Sequence, residues 1–191
     1  MALTQPIRNK TQLTQYINHF RNQNKPRNYV LVTLCLHTAL RISDILRLTC
    51  DQVYDFAKNR PYKSITITEA KTGKSKTIAL HKNVATALKA YYHKALPGAP
   101  LILNAQTGRA ITRVHAYRLL RAAADTLGFA YRVSCHSLRK TFGYHAWKGG
   151  ASPVIIMEIF NHSSMAVTRR YLGVAQEDLN GVYVGCFLLL L

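Results

Sequence analysis

Acid is what this sequence has least of. Eight Asp and Glu stand against 26 Lys and Arg in 191 residues, a formal charge of +18. So few carboxylates leave little with which to build a two-metal phosphodiesterase. Cysteine is also scarce. Cys35, Cys50, Cys135 and Cys186 lie far apart with no CxxC pair, which excludes a disulfide framework or zinc knuckle and predicts free thiols. No apolar run approaches the roughly 18 residues of a membrane span, and the opening MALTQPIRNK has no apolar signal core, so a cytoplasmic protein is expected. There is no repeat, low-complexity tract or Pro/Gly/Ser-rich linker, which predicts one domain. No dinucleotide fingerprint or HExxH motif occurs. Thr72-Gly73-Lys74-Ser75 imitates the end of a phosphate loop, but Thr68 stands where that loop needs glycine. Neither a metal nor a cofactor is expected.

Base, by contrast, is everywhere. Asp44 is the single acid among residues 1–50, Glu69 among 56–94 and Asp125 among 100–150. A hydrophobic content of 48% supports a real core, and a core would hide little of this charge. The surface is therefore positive, and a polyanion such as nucleic acid is the fitting partner.

The apolar periodicity predicts a mainly helical fold with one small antiparallel sheet. Leu13, Tyr16, Ile17 and Phe20 mark a first helix, and Tyr29–Leu40 reads as a buried one. Ser43 reads as the N-cap of a short helix reaching Leu48. Residues 64–68 and 76–80 alternate about a Thr-Gly-Lys-Ser turn, as a hairpin does. Further helices are predicted through Val84, Leu88, Tyr91 and Tyr92 and ending before Pro97-Gly98, from Thr112 to Gly128, over 136–148, from Ser152-Pro153 to Phe160, from Ser163-Ser164 to Tyr171, and from about Gln176.

Six polar residues fall where helix ends or turns can present them: Arg41, Lys71, His136, Arg139, His162 and Tyr171. His136 and Arg139, three apart, share one helix face. Two guanidiniums, two imidazoles, an ammonium and a phenol suit a phosphodiester. Arginine forks match the non-bridging oxygens, and a tyrosine can be the covalent nucleophile. Lys74 and Lys76 read as solvated turn lysines, and the remaining histidines as structural.

These residues resemble the tyrosine recombinase (phage integrase) family in order and spacing. Thr38-Ala39-Leu40-Arg41-Ile42-Ser43-Asp44-Ile45 is similar to its box TGLRxSEL, and Lys71-Thr72-Gly73-Lys74 to its hairpin KTGK. His136-Ser137-Leu138-Arg139-Lys140-Thr141-Phe142-Gly143 is similar to HxLRHTFA, and Phe160-Asn161-His162-Ser163-Ser164, running on to Tyr171, to LGHSS and its tyrosine. Asn161 departs from the usual glycine, but asparagine tolerates a left-handed backbone.

The resemblance implies the family's catalytic-domain fold and site-specific recombination of double-stranded DNA through a 3′-phosphotyrosine, with no metal or ATP. It implies that Tyr171 attacks phosphorus, Arg41 and Arg139 hold the non-bridging oxygens, and His136 is general base. Lys71 would protonate the leaving 5′-oxygen, His162 would bond a phosphate oxygen, and Asp44 would orient the arginines from behind. It divides the chain into a lead-in of residues 1–28 in place of a full core-binding domain, a catalytic unit over 29–175, and a tail over 176–191. The chain thus resembles small single-domain members such as the fimbrial phase-variation recombinases, or a catalytic fragment. The apolar tail ending Cys186-Phe187-Leu188-Leu189-Leu190-Leu191 is expected to dock on a neighbouring protomer in a tetrameric synapse, with DNA-bending accessory proteins as further partners and no membrane. A type IB topoisomerase and a non-catalytic DNA-binding regulator are the alternatives.

Overall fold

A computed structural model describes residues 4–174 and 176–185. Helix α1 (Lys10–Asn22) starts where Asn9 Oδ1 accepts the Gln12 amide, and it buries Tyr16 and Phe20, two of the four residues that predicted it. After Pro26, α2 (Pro26–His37) is buried along nearly its whole length, which is why its sequence shows an apolar run and no stripe.

The next helix differs from expectation. α3 covers Ile42–Ile45, with Arg41 and not Ser43 at its N-cap. Ala39, just before it, adopts a left-handed backbone (φ 56°), and the chain leaves that turn extended through Arg41. The helix stops short of Leu48 because the Leu48 carbonyl accepts the Leu101 amide at 2.8 Å, and Thr49 bridges to Pro100.

Among the described residues the sheet content is three separate two-stranded ribbons, not one. β1 (Tyr54–Asp55) pairs with β2 (Arg60–Pro61), and β3 (Ser64–Thr68) with β4 (Ser75–Ala79). Beyond α4 (Lys82–Tyr91), β5 (Leu103–Asn104) pairs with β6 (Arg109–Ala110). The β3–β4 register sets Ile65 against Ile78 and Ile67 against Lys76, so alternate residues of β3 face the core.

The C-terminal half follows its caps. Thr112 caps α5 (Arg113–Thr126), and a reciprocal Ser134–Ser137 box caps α6 (Cys135–Lys148). Ser152 and Pro153 open α7 (Pro153–Phe160), Ser164 opens α8 (Met165–Leu172), and α9 spans Gln176–Gly185. Residues 186–191 of the expected docking tail lie outside the described residues.

One large core gathers Ile7, Tyr16, the α2 residues, Leu88, Leu120 and Leu138, so the lead-in helix packs with the rest. A smaller cluster of Ala39, Ile156, Phe160 and Leu172 lies where α7 and α8 meet the Ala39 turn. That cluster seats the polar residues described next. Among the described residues no helix is long and apolar enough to cross a membrane.

Candidate active site

Helix α7 ends in a cluster of cations. Its last carbonyl, Phe160 O, accepts Nη2 of Arg139 at 2.7 Å and Nη2 of Arg41 at 3.4 Å, while Ile159 O accepts Lys76 Nζ at 3.3 Å. Unsatisfied carbonyls and the negative end of the helix dipole make this a natural seat for positive charge. Arg139 is only 2% exposed. Its Nη1 donates to Ala39 O, a carbonyl turned inward by the left-handed Ala39, and its guanidinium carbon lies 4.7 Å from the Phe160 ring centroid. Burial, and then the neighbouring Arg41, lower its pKa to about 10.

The counter-charge is Glu69, which sequence reasoning did not single out. It is 1% exposed, at the end of β3. Its Oε2 lies 2.9 Å from Arg41 Nη1 and accepts from Thr72 Oγ1 at 2.9 Å and Asn161 Nδ2 at 3.1 Å, and its Oε1 accepts from Lys76 at 2.8 Å. Burial alone would raise this carboxyl, but those donors hold it down to about 2. Lys76 is therefore a paired structural cation, against the expectation of a solvated turn lysine. The available signal was scarcity, since Glu69 is the one acid in a long basic stretch.

Asp44 does not reach the arginines by hydrogen bonds. Its Oδ1 accepts the Ala70 amide at 2.9 Å, and its buried Oδ2 has no hydrogen-bond partner among the described residues. It ties α3 to the hairpin immediately before Lys71. Lys71 itself is exposed in the β3–β4 turn, and lines a cleft of about 340 Å³ with Arg41, Arg113, His136 and Arg139.

Behind the cleft-lining His136 ring, its Nε2 is hydrogen-bonded to the Tyr171 hydroxyl. The His162 ring lies 4.7 Å from that of Tyr171, and its Nδ1 is taken by Thr168 Oγ1 at 3.1 Å. Asn161 caps α7 in the left-handed region (φ 51°), the turn that aims His162. Its amide also donates to Thr72 Oγ1 at 3.2 Å, so it pins the hairpin to the end of α7 in a way glycine could not.

Burial lowers the pKa of His136, with Lys140, Arg139, Arg41 and Arg113 adding to the effect. Burial, then Arg139, Arg41 and His136, bring His162 to about 4. Both imidazoles are therefore neutral near pH 7. Burial raises the Tyr171 phenol, against the pull of Arg139 and Arg41. Four of the six residues expected from the sequence, Arg41, Lys71, His136 and Arg139, thus line one cleft, and Tyr171 and His162 join them through the His136 ring. The arrangement can deliver a tyrosine oxygen to an anionic centre and take its proton. Among the described residues, no three His, Cys, Asp or Glu side chains come together as metal ligands.

Residues 8–178 match the model of the phage integrase family. The chain is 34% identical over 183 residues to the probable integrase/recombinase YoeC of Bacillus subtilis, covering 96% of this chain and 97% of that one. It is 29% identical to the tyrosine recombinase XerD of Mycobacterium tuberculosis over 83% of its own length, but spans only 51% of XerD. In fold it is similar to the crystal structure of XerA recombinase, with a TM-score of 0.77, 19% identity and coverage of 95% of this chain and 65% of that one.

Proposed function

The chain belongs to the phage integrase family, and from that membership and the geometry of its cleft we propose that it is a site-specific DNA recombinase using Tyr171 as nucleophile. One observation carries this reading. The Tyr171 hydroxyl is hydrogen-bonded to a neutral His136 beside two guanidiniums that share the Phe160 carbonyl.

Tyr171 Oη attacks the scissile phosphorus and its proton passes to His136 Nε2. Arg41 and Arg139 hold the non-bridging oxygens, where negative charge grows in the transition state. In the tautomer whose Nδ1 accepts from the Thr168 hydroxyl, the neutral His162 donates its Nε2–H to a phosphate oxygen. The bond to the 5′-oxygen breaks as Lys71 Nζ protonates it, leaving a 3′-phosphotyrosine and a 5′-hydroxyl. A 5′-hydroxyl from another strand then attacks that phosphorus and gives its proton to Lys71 Nζ, while Tyr171 departs and recovers its proton from His136. Each step exchanges one phosphodiester for another, so rejoining requires no ATP.

Double-stranded DNA is the partner, and the cytoplasm, at the nucleoid, is the proposed place of action. Several copies assemble on DNA as a synapse in this reading. The first turn of α9 is tied to its own domain by Lys148 and Asp178, while Val182, Tyr183 and Val184 lie exposed. That pattern supports docking of the segment beyond on a neighbour. Neither DNA relaxation nor a regulatory role without chemistry gains a supporting observation.

The test places two copies of the DNA flanking the gene on one plasmid. Deletion or inversion products that form with the purified chain, and are absent with Tyr171→Phe, support the reading. Supercoil loss without rearrangement would replace it by a topoisomerase.

A further inference from the structure

One buried cation at the site has no part in the chemistry above. Lys140 is 7% exposed, in the second turn of α6. Its ammonium donates to Thr4 O at 2.7 Å and lies 5.3 Å from the centroid of the Tyr171 ring. Thr4 belongs to an extended strap stitched along α6. The Ile7 amide donates to Thr141 Oγ1 at 2.9 Å, Ile7 O lies 2.9 Å from His145 Nε2, and Arg8 Nη2 donates to Gly173 O at 2.9 Å, just past the nucleophile's helix. The strap therefore holds the ammonium in place.

His136 and Lys140 stand four apart on α6, so they are neighbours on one face, and two positive charges there repel. The groove around Lys140 offers no relief. Arg8, Arg169 and Arg170 line it, and among the described residues no acid does. Toward Tyr171 and His136 the other charged or titratable groups among the described residues are Arg139 and Cys135 from α6, Arg41 from the segment before α3, Lys71 from the β3–β4 turn, Arg113 from α5 and His162 from the α7–α8 junction.

We propose that Lys140 is a positioning residue acting through the Tyr171–His136 pair. Its ammonium, moored to the N-terminal strap, keeps the His136 ring free of a proton before reaction and seats the Tyr171 ring against it. The proposal rests on the recombinase reading for its purpose, but not for its geometry. After burial, Lys140 is the largest influence lowering the His136 pKa.

The experiment follows the His136 ring titration by NMR in the DNA-free chain, with the signal assigned by its loss in His136→Ala. Lys140→Met removes the charge, Lys140→Gln removes it but keeps a donor for Thr4 O, and Lys140→Arg keeps it. The expected result is a rise of about half a pH unit or more with Met and Gln and none with Arg. The acid limb of covalent DNA cleavage should rise with it. A glutamine variant that titrates like the parent would overturn the proposal, leaving only a mooring role. If the methionine variant does not fold, the Gln–Arg pair decides alone. A shifted titration in a chain that attacks no DNA would sustain the Lys140 inference while the recombinase reading failed.

Discussion

Arg139 grips Phe160 twice. Its Nη2 donates to the Phe160 carbonyl at 2.7 Å, and its guanidinium carbon lies 4.7 Å from the centroid of the same residue's ring. The arginine proposed to hold phosphate is thus positioned by a core phenylalanine, and whatever moves Phe160 moves the site.

Gly143 makes that dependence testable. A Cβ there would meet Cε2 and Cζ of Phe160 at 2.7 Å, and the fully buried ring cannot swing clear. Gly143→Ala should cost about 1–3 kcal/mol in denaturant unfolding, the usual range for overpacking. Cleavage should slow even where the chain remains folded.

The pH dependence of cleavage follows from His136. Its folded-state pKa is lowered below the ordinary 6.5, so the base gains its proton only as pH falls below that value. Single-turnover cleavage should therefore decline on an acid limb whose midpoint lies below that of an ordinary histidine. His136→Ala should cost on the order of 10²–10⁴ in rate and erase that limb.

Glu69 sets the acid stability. Its carboxyl is held at about 2 when folded, against an ordinary 4.5. A depressed folded value means stability fully present above about 4.5 and lost as pH falls towards 2. Glu69→Gln should flatten that part of the stability–pH curve. At pH 7 it should cost about 3 kcal/mol, because Arg41 and Lys76 lose their shared counter-charge.

Asn161→Gly tests whether this residue is more than a tolerated turn former. Glycine eases the left-handed backbone, but the donations to Glu69 and Thr72 vanish. A net loss of about 1 kcal/mol is expected in thermal or denaturant unfolding, with Lys71-dependent leaving-group chemistry slowed.

Much of this was legible because the site sits at helix ends, and helix ends are written in local sequence. Ser152-Pro153, Ser164 and Gly173 mark the boundaries that present Asn161, His162 and Tyr171. What local sequence does not encode is convergence. Glu69 and Asn161 are 92 residues apart, yet share a hydrogen bond. Nothing near Lys76 distinguishes it from Lys74, because its role is fixed by Glu69 and by the far end of α7. The same holds for Asp44, drawn to the Ala70 amide, and for the early end of α3, decided by the pairing of Leu48 with Leu101.

Covalent trapping tests the central claim most directly. Nicked duplexes cut from the DNA flanking the gene are incubated with the chain in EDTA and run on denaturing gels. A protein–DNA adduct joined through a 3′-phosphate is expected, and its absence with Tyr171→Phe. An adduct that persists in Tyr171→Phe would place the nucleophile elsewhere and contradict it.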